Sequence, residues 1–418
     1  MGVVMRVLRL CSVFGVPDRP VPPEDLRFDA VGGMQNHTGH LVQALDRLGV
    51  RQRVVTSWPP SQPREELLGA GAEVHRFGWP VTALRQGWAA QAAAALPRLS
   101  AGVDLVHAHL GEDLAVLPMA RAAARARGVP LVVTVHLSLR HTLPGRGPRA
   151  ALMRGLGGVL ELGAVREAAA VLVLTERAAR AALADGAAPA RVHVLPSGVD
   201  PDLFAPPAAP GPDPLAPDDP APGPPRPRVL FVGRLGEQKG LPALVRAAAL
   251  MREDADVVLA GEGPQRPLLE ALVAQLGAGR RVRLTGYLDH RLVPAALRTA
   301  AVAVQPSRYE EMGTSVVEAM ATGLPVVATR TGGIPSLVRD GETGRLVPVD
   351  DAPALAAALD ELLADPVRAA AMGARARRAV AGHAWPSLAA GVLRVYRDAV
   401  TPGGDQRRAT PAPPTGAA

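Results

Sequence analysis

The sequence predicts an α/β protein built from two parallel-sheet domains, and three observations carry that prediction. Short apolar runs of strand length alternate with helical stretches from end to end, the pattern of parallel sheets joined by crossover helices. The stretch from Ala205 to Arg228 holds eleven prolines, which neither a helix nor an inner strand accommodates. At 418 residues the chain on either side of that stretch is long enough for a full core.

The elements follow in order. In the first half, strands are expected near 5–12, 52–56, 104–107, 131–135, 170–174 and 192–195. Helices fill most of the gaps, for example 34–48 and 113–126. In the second half, strands are expected near 228–232, 256–260, 282–285, 301–305, 325–329 and 345–348. The domains are therefore 1–204 and 228–384, joined by a semi-rigid proline-rich connector at 205–227. A last helix, 385–400, carries Leu388, Val392, Val395 and Tyr396 at helical spacing. The Gly/Pro/Arg/Ala tail at 401–418 is expected to be disordered. Because Met5-Arg-Val-Leu-Arg-Leu reads as the opening strand, translation from Met5 is an alternative to Met1.

Composition excludes several classes. Apolar residues make up 48% and charged residues 20% of the chain, an ordinary globular balance. The net charge of +7 comes almost entirely from arginine, because Lys239 is the one lysine in the sequence; a GC-rich genome accounts for that bias. The arginines are dispersed and twelve residues (5 + 4 + 3) are aromatic, so platforms for nucleic-acid stacking are missing. The single cysteine, Cys11, excludes an internal disulfide and reads as a buried strand thiol. Arg6 and Arg9 interrupt the N-terminal apolar run, and no apolar segment reaches the roughly 20 residues of a spanning helix. The expected location is cytoplasmic, with membrane association not favoured.

The stretch Ser307 to Gly323 carries the strongest chemistry. It reads as a turn and a helix from about Thr314 to Thr322 closed by Gly323, with Thr314 or Ser315 placed to cap the first turn. Gly313 permits close backbone approach, so this helix start is an anion site suited to phosphate. Glu310 and Glu318 bracket it. A carboxylate beside a phosphate site is favourable when it accepts from a polyol, which points to one carboxylate for a sugar, one for a ribose, and a diphosphate between. In Val229 to Gly240, a strand runs into a loop whose Arg234 and Lys239 suit two phosphates on one ligand. Gly32-Gly33 follows the loop after the first strand and precedes a helix, the place for a phosphate-facing backbone. His109 lies just past the end of the strand at 104–107, where open α/β sheets bind ligands. His136 ends the next strand. His107 and His109 are read as facing opposite ways, so no metal site is expected.

The run Glu310 to Glu318, followed by Ala-Met-Ala-Thr-Gly-Leu-Pro-Val-Val-Ala, resembles the signature of the retaining glycosyltransferases of family GT4. The resemblance covers nearly everything from Met5 to Val400 and is strongest from Arg228 to Pro348. It implies the GT-B fold: two facing Rossmann-like domains with a C-terminal helix crossing back to the first. It implies that Arg234 and Lys239 bind a nucleotide diphosphate, with Met312, Gly313, Thr314 and Ser315 at the donor. By the same resemblance Glu310 meets the donor hexose, Glu318 the ribose, Tyr287 the base region, Gly33 the phosphates, and His109 the donor sugar and pyrophosphate. Two positions depart from the pattern: Ser197 stands where asparagine is usual, and Ser336 where glutamate is common.

These readings converge on a retaining transferase of a nucleoside-diphosphate sugar, UDP-linked, with no cofactor and no essential metal. Rivals are a sugar-nucleotide epimerase of the same fold and a non-catalytic sugar-nucleotide-binding protein. For the acceptor, charge points one way. The loop before Gly32 carries Asp18, Glu24, Asp25 and Asp29 against Arg19 and Arg27, a net of −2, and Glu112 and Asp113 follow His109. Six carboxylates at the mouth of a basic protein would attract a cationic acceptor, such as the aminocyclitol core of an aminoglycoside. The Gly-Gly-Met-Gln loop and the composition are also similar to actinomycete antibiotic-pathway glycosyltransferases. The alternative acceptor is a lipid-linked or inositol-type alcohol, with Arg140, Arg146, Arg149 and Arg154 as a membrane-facing patch.

Overall fold

A computed structural model gives the architecture. It describes residues 4–401 apart from 18, 23, 26–32, 82–86, 143–146, 207–210 and 217–224. Fourteen described strands fall into two sheets. The first holds β1 (Arg6–Leu10), β2 (Arg51–Ser57), β3 (Glu65–Leu68), β4 (Ala72–Phe77), β5 (Leu105–Leu110), β6 (Leu131–Val135), β7 (Ala170–Val173) and β8 (Val192–Val194). Their order across the sheet is β3-β4-β2-β1-β5-β6-β7-β8. The second holds β9 (Arg228–Val232), β10 (Asp256–Ala260), β11 (Val282–Gly286), β12 (Val302–Gln305), β13 (Val326–Thr329) and β14 (Gly344–Val347), in the order β11-β10-β9-β12-β13-β14.

Every pairing is parallel except β3 with β4. That antiparallel edge was not expected from the sequence, because Glu65–Leu68 and Ala72–Phe77 carry too many polar residues to read as apolar runs. The other expected strands stand within a few residues of their predicted bounds. Both sheets reverse their strand order at one point, between β1 and β5 in the first and between β9 and β12 in the second. Open sheets hold ligands just beyond the carboxyl ends of the strands at such a reversal.

Each sheet is covered on both faces, which is why its inner strands are buried along nearly their whole length, whereas β3, β8 and β11 at the edges are not. The last helix, Trp385–Val400, lies away from the sheet that precedes it. Its Leu388, Val392, Val395 and Tyr396 pack with Val7, Leu41, Leu45 and Leu105 of the first domain, so the chain crosses back as expected. The connector is partly docked. Leu215 is buried in the second domain's core, and Asp213 pairs with Arg228 at 2.8 Å, which ties these residues down more firmly than a bare spacer. The expected tail disorder beyond Thr401 lies outside the described residues. Cys11 is a buried free thiol, and burial pushes it up to about 12. No helix among the described residues is long and apolar enough to cross a membrane.

Candidate active site

The second-domain half of the site is assembled at the β9/β12 reversal. β9 delivers Arg234, which is exposed, and the turn Glu237–Lys239 delivers Lys239. Gly240 follows at φ 62°, where a Cβ would lie 2.1 Å from the Pro306 carbonyl oxygen. The lysine turn is thereby pressed against the loop after β12, and Arg308 N–H donates to the Gln238 carbonyl at 2.8 Å. As a result Lys239 Nζ stands 2.5 Å from Glu310 Oε2. Gln305 Nε2 and Ser307 Oγ also donate to that oxygen, each at 3.3 Å. Two residues expected to hold different parts of one ligand are thus held by each other.

The helix Thr314–Ala321 starts on Gly313, whose φ of 90° suits glycine. Contrary to the expected cap by Thr314 or Ser315, no side chain caps this helix. Ser315 Oγ donates instead to Gln305 Oε1 at 3.2 Å, so the first turn keeps N–H groups for an incoming anion. Glu318 lies one turn in and is buried. Its Oε1 meets His290 Nε2 at 3.0 Å, a residue that the sequence reading did not single out, although it sits three positions after Tyr287 in the same loop. Tyr287 itself is half exposed beyond β11. The Met312 side chain is buried in the core, and its sulfur accepts from Ser197 N–H at 2.9 Å. The backbone at Ser197 therefore ties the hinge to the donor loop, while the Ser197 hydroxyl meets His37 Nδ1 at 3.0 Å.

The first-domain half is built at the β1/β5 reversal. The helix Gly33–Arg47 begins at Gly33, where a Cβ would lie 3.7 Å from Thr314 Oγ1. Two helix starts, one per domain, therefore meet. Gly32 lies outside the described residues. Between the domains, a small cavity is walled by His37, His40, His290, Thr314, Glu318 and Trp385. A larger open cleft of about 870 Å³ runs past Gly15, Gln35, His40, His290 and Arg291.

His109 stands differently from its expected role. It is fully buried; Arg9 Nη1 donates to its Nε2 at 2.5 Å, and its Nδ1 meets His136 Nε2 at 2.9 Å. Both ring nitrogens are engaged inside the protein. His136, at the end of β6, is 9% exposed against 0% for His109. The reading that His107 and His109 face opposite ways is corrected: residues two apart on a strand share a face, and their ring centroids are 4.3 Å apart. Arg9 Nη1 also lies 3.0 Å from His107 Nδ1, and Arg9 Nη2 donates to Gln52 and Tyr396. Arg9, Gln52 and Tyr396 were missed, though a fully charged residue inside an apolar strand was a legible signal. Burial, reinforced by Arg9 and the neighbouring imidazoles, holds His37, His107 and His109 well below 6.5. Burial and then Arg9 bring His136 down to about 3.

The expected acidic rim is thinner in the structure. Asp25 is buried and accepts from Ser61 N–H and Gln62 Nε2 at 2.9 and 3.0 Å. Asp113 is buried, accepting from Trp88 Nε1 at 3.1 Å and Ala115 N–H at 2.8 Å. Asp18 and Asp29 lie outside the described residues, and Glu24 and Glu112 are exposed. Of the arginines proposed for a membrane-facing patch, Arg140 is paired with Asp185 at 3.0 Å and Arg146 lies outside the described residues.

Comparison with known proteins decides the family. Residues 31–203 match the model described as Glycosyltransferase Family 4, and residues 217–379 match Glycosyl transferases group 1. The chain belongs to the family 4 glycosyltransferases. A 2-deoxystreptamine glucosyltransferase from Streptomyces kanamyceticus is 33% identical over 80% of this chain and 90% of its own length. A D-inositol 3-phosphate glycosyltransferase from Catenulispora acidiphila is 35% identical over 74% of this chain and 76% of its own. Among solved structures, a sucrose-phosphate synthase from Thermosynechococcus elongatus superposes with a TM-score of 0.79 at 27% identity, covering 94% of this chain and 98% of that one. This glycosyltransferase therefore has the GT-B architecture and acts on a nucleotide sugar.

Proposed function

We propose that this glycosyltransferase moves a hexose from a UDP-linked donor, with retention of configuration, to a hydroxyl of an aminocyclitol-type acceptor. The observation that carries the donor half is the cluster at the Thr314 helix: Lys239 against Glu310, with an uncapped helix start and Glu318 one turn further in. A diphosphate entering there takes the Lys239 ammonium and the helix N–H groups, and Arg234 stands exposed at the same edge. Released from Lys239, Glu310 accepts from hexose hydroxyls, and Glu318 from the ribose. Charge on the leaving diphosphate grows toward the transition state, so these donors stabilise that state most.

In the proposed step the bond from the sugar's anomeric carbon to the phosphate oxygen breaks. A bond to the acceptor oxygen forms on the same face, and the acceptor proton passes to the leaving phosphate. Cations and helix dipoles replace a divalent metal, so none is needed. The aminocyclitol is supported by the name of the Streptomyces kanamyceticus relative and by a small pocket beside Glu311. That pocket is lined by Glu161, Asp185 and Glu311 together with Arg177 and His141, and Asp185 is already paired with Arg140 and His141. A second reading, an inositol phosphate acceptor, is favoured by the name of the Catenulispora acidiphila relative.

The test is a panel of sugar nucleotides scored by UDP release in chelator, with 2-deoxystreptamine, its pseudodisaccharides and inositol phosphate as acceptors. Transfer to an aminocyclitol in EDTA is expected. Transfer only to inositol phosphate, or only with added magnesium or manganese, overturns the acceptor or the metal-free step respectively.

A further inference from the structure

We propose that Arg9 is a positioning residue for sugar transfer: it fixes the tautomers of His109 and His136, so that His136 offers the site a hydrogen-bond donor and no base. A guanidinium has N–H groups and no acceptor, so each ring nitrogen it meets must bring a lone pair. Arg9 Nη1 meets His107 Nδ1 at 3.0 Å and His109 Nε2 at 2.5 Å. The proton of each ring is therefore on the other nitrogen. On His107 that nitrogen is Nε2, which donates to Thr134 Oγ1 at 2.7 Å. On His109 it is Nδ1, which donates to His136 Nε2 at 2.9 Å. His136 accepts at Nε2 and so carries its own proton on Nδ1.

Arg9 is held against rotation. Its Nη2 donates to Gln52 Oε1 at 2.9 Å and to the Tyr396 hydroxyl at 3.0 Å. The Gln52 amide is oriented in turn, because its Nε2 donates to the Val42 carbonyl at 2.8 Å. Tyr396, accepting from Arg9, turns its own proton to His107 Nδ1 at 2.6 Å. His107 Nδ1 then shares its one lone pair between Arg9 and Tyr396, and the buried Arg9 Nε has no partner among the described residues; the path from Arg9 through His109 to His136 admits one arrangement of protons. Arg9, His107 and His109 are fully buried; of the chain from Arg9 through His109 to His136 it is His136 that keeps some exposure, 9%, and its ring lies 4.7 Å from that of His37, which walls the interdomain cavity. Among the described residues no carboxylate is bonded to Arg9, so its charge polarises the whole chain toward His136. A ring whose lone pair is already used cannot take the acceptor's proton, which leaves that proton to the leaving phosphate. Tyr396 lies on the crossover helix, so its docking completes the network.

The kinetic part of this inference rests on the reading above of the site as a sugar-nucleotide transferase; the tautomers do not. Long-range proton–nitrogen NMR of the full chain labelled in histidine, assigned with His109→Gln and His136→Asn, reads the tautomers directly. His109 and His136 are expected as Nδ1–H forms, and Arg9→Met should abolish that preference. In turnover, Arg9→Met should lower kcat about 10- to 100-fold, as losing the partner that orients a metal-bound imidazole does, and His136→Ala at least as much. UDP affinity, set in the other domain, should stay within about threefold of the parent's. His136→Asn, whose amide N–H can replace Nδ1–H, should recover most of the rate. An Nε2–H tautomer at His136 in the parent overturns the proposal, as does His136→Asn remaining as slow as His136→Ala while both bind UDP. Should Arg9→Met not fold, the parent spectrum and the His136 pair decide alone. Should the parent release UDP from no donor, the functional reading fails and the spectrum still decides the tautomers.

Discussion

The two faces of the cleft solve opposite problems. The second-domain face is charged and partly open: Lys239, Glu310, Glu318 and His290 are paired with one another by contacts a ligand can exchange. The first-domain histidine network is buried, and apart from Arg9 it is neutral, with imidazoles and a phenol sharing protons and His136 keeping some exposure. Exchangeable pairs suit a site that must let a diphosphate in and out, whereas a sealed network suits a group that must keep one orientation. The same pH or the same kind of mutation should therefore strike the two faces differently.

Acid should separate them most. His37, His107 and His109 are held well below 6.5 and His136 at about 3, each with burial as the main cause. Once unfolded, each imidazole takes its proton near 6.5. A folded value below the unfolded one means that the unfolded chain binds more protons as pH falls, so stability is full above about pH 6.5 and declines below it. Each such histidine contributes a slope of up to about 1.4 kcal/mol per pH unit, and four together exceed the stability of most domains within a few units. Circular dichroism against pH should show unfolding setting in below about pH 6 and ending above the carboxylate range. His107→Gln combined with His37→Gln should move the midpoint down. A midpoint unchanged by that pair would contradict the buried neutral network.

On the charged face the largest single effect should come from Lys239→Ala. Removing one charge-assisted bond to a diphosphate costs about 1.5–3 kcal/mol, or about 10- to 100-fold in UDP affinity. Glu318→Ala should also weaken UDP, and Glu310→Ala should lower turnover more than binding, because its partner is the sugar and not the nucleotide. Titration calorimetry with UDP checks the binding of all three, and UDP release in the presence of acceptor checks the turnover of Glu310→Ala. If Lys239→Ala binds UDP as the parent does, the ammonium does not meet the phosphates.

The comparison also explains what could be read from the sequence. The second-domain site is local in the chain: Gly313, Thr314, Glu310 and Glu318 fall within nine residues, and Lys239 marks itself as a lone lysine among arginines. Short-range spacing on a helix preserves such information. The first-domain network joins Arg9 to Gln52, His107, His109 and Tyr396 across separations of 43 to 387 residues. No periodicity encodes a contact of that kind. The fold was legible because apolar runs mark inner parallel strands. The β3–β4 edge was not, because an edge strand keeps polar residues and loses the signal. The cap misread at Thr314 has the same root, since a helix that binds an anion needs its first turn left open.

The smallest effect should come from the acidic rim, and there the structure revises the expectation most. Charge counting put six carboxylates at the acceptor mouth. Asp25 and Asp113 are buried in hydrogen bonds of their own, which leaves Glu24 and Glu112 exposed among those described. Two solvated charges attract a cationic acceptor through water, each worth about 0–1 kcal/mol, and salt screens them beyond about 8 Å. Glu24→Gln with Glu112→Gln should therefore raise the Michaelis constant for an aminocyclitol by no more than about threefold at low ionic strength. At physiological salt the difference should vanish, with kcat unchanged throughout. A larger rise that persists in salt would mean that one of these carboxylates touches the acceptor's ammonium groups directly, and would place the acceptor at the β1 and β5 loops and not beside Glu311.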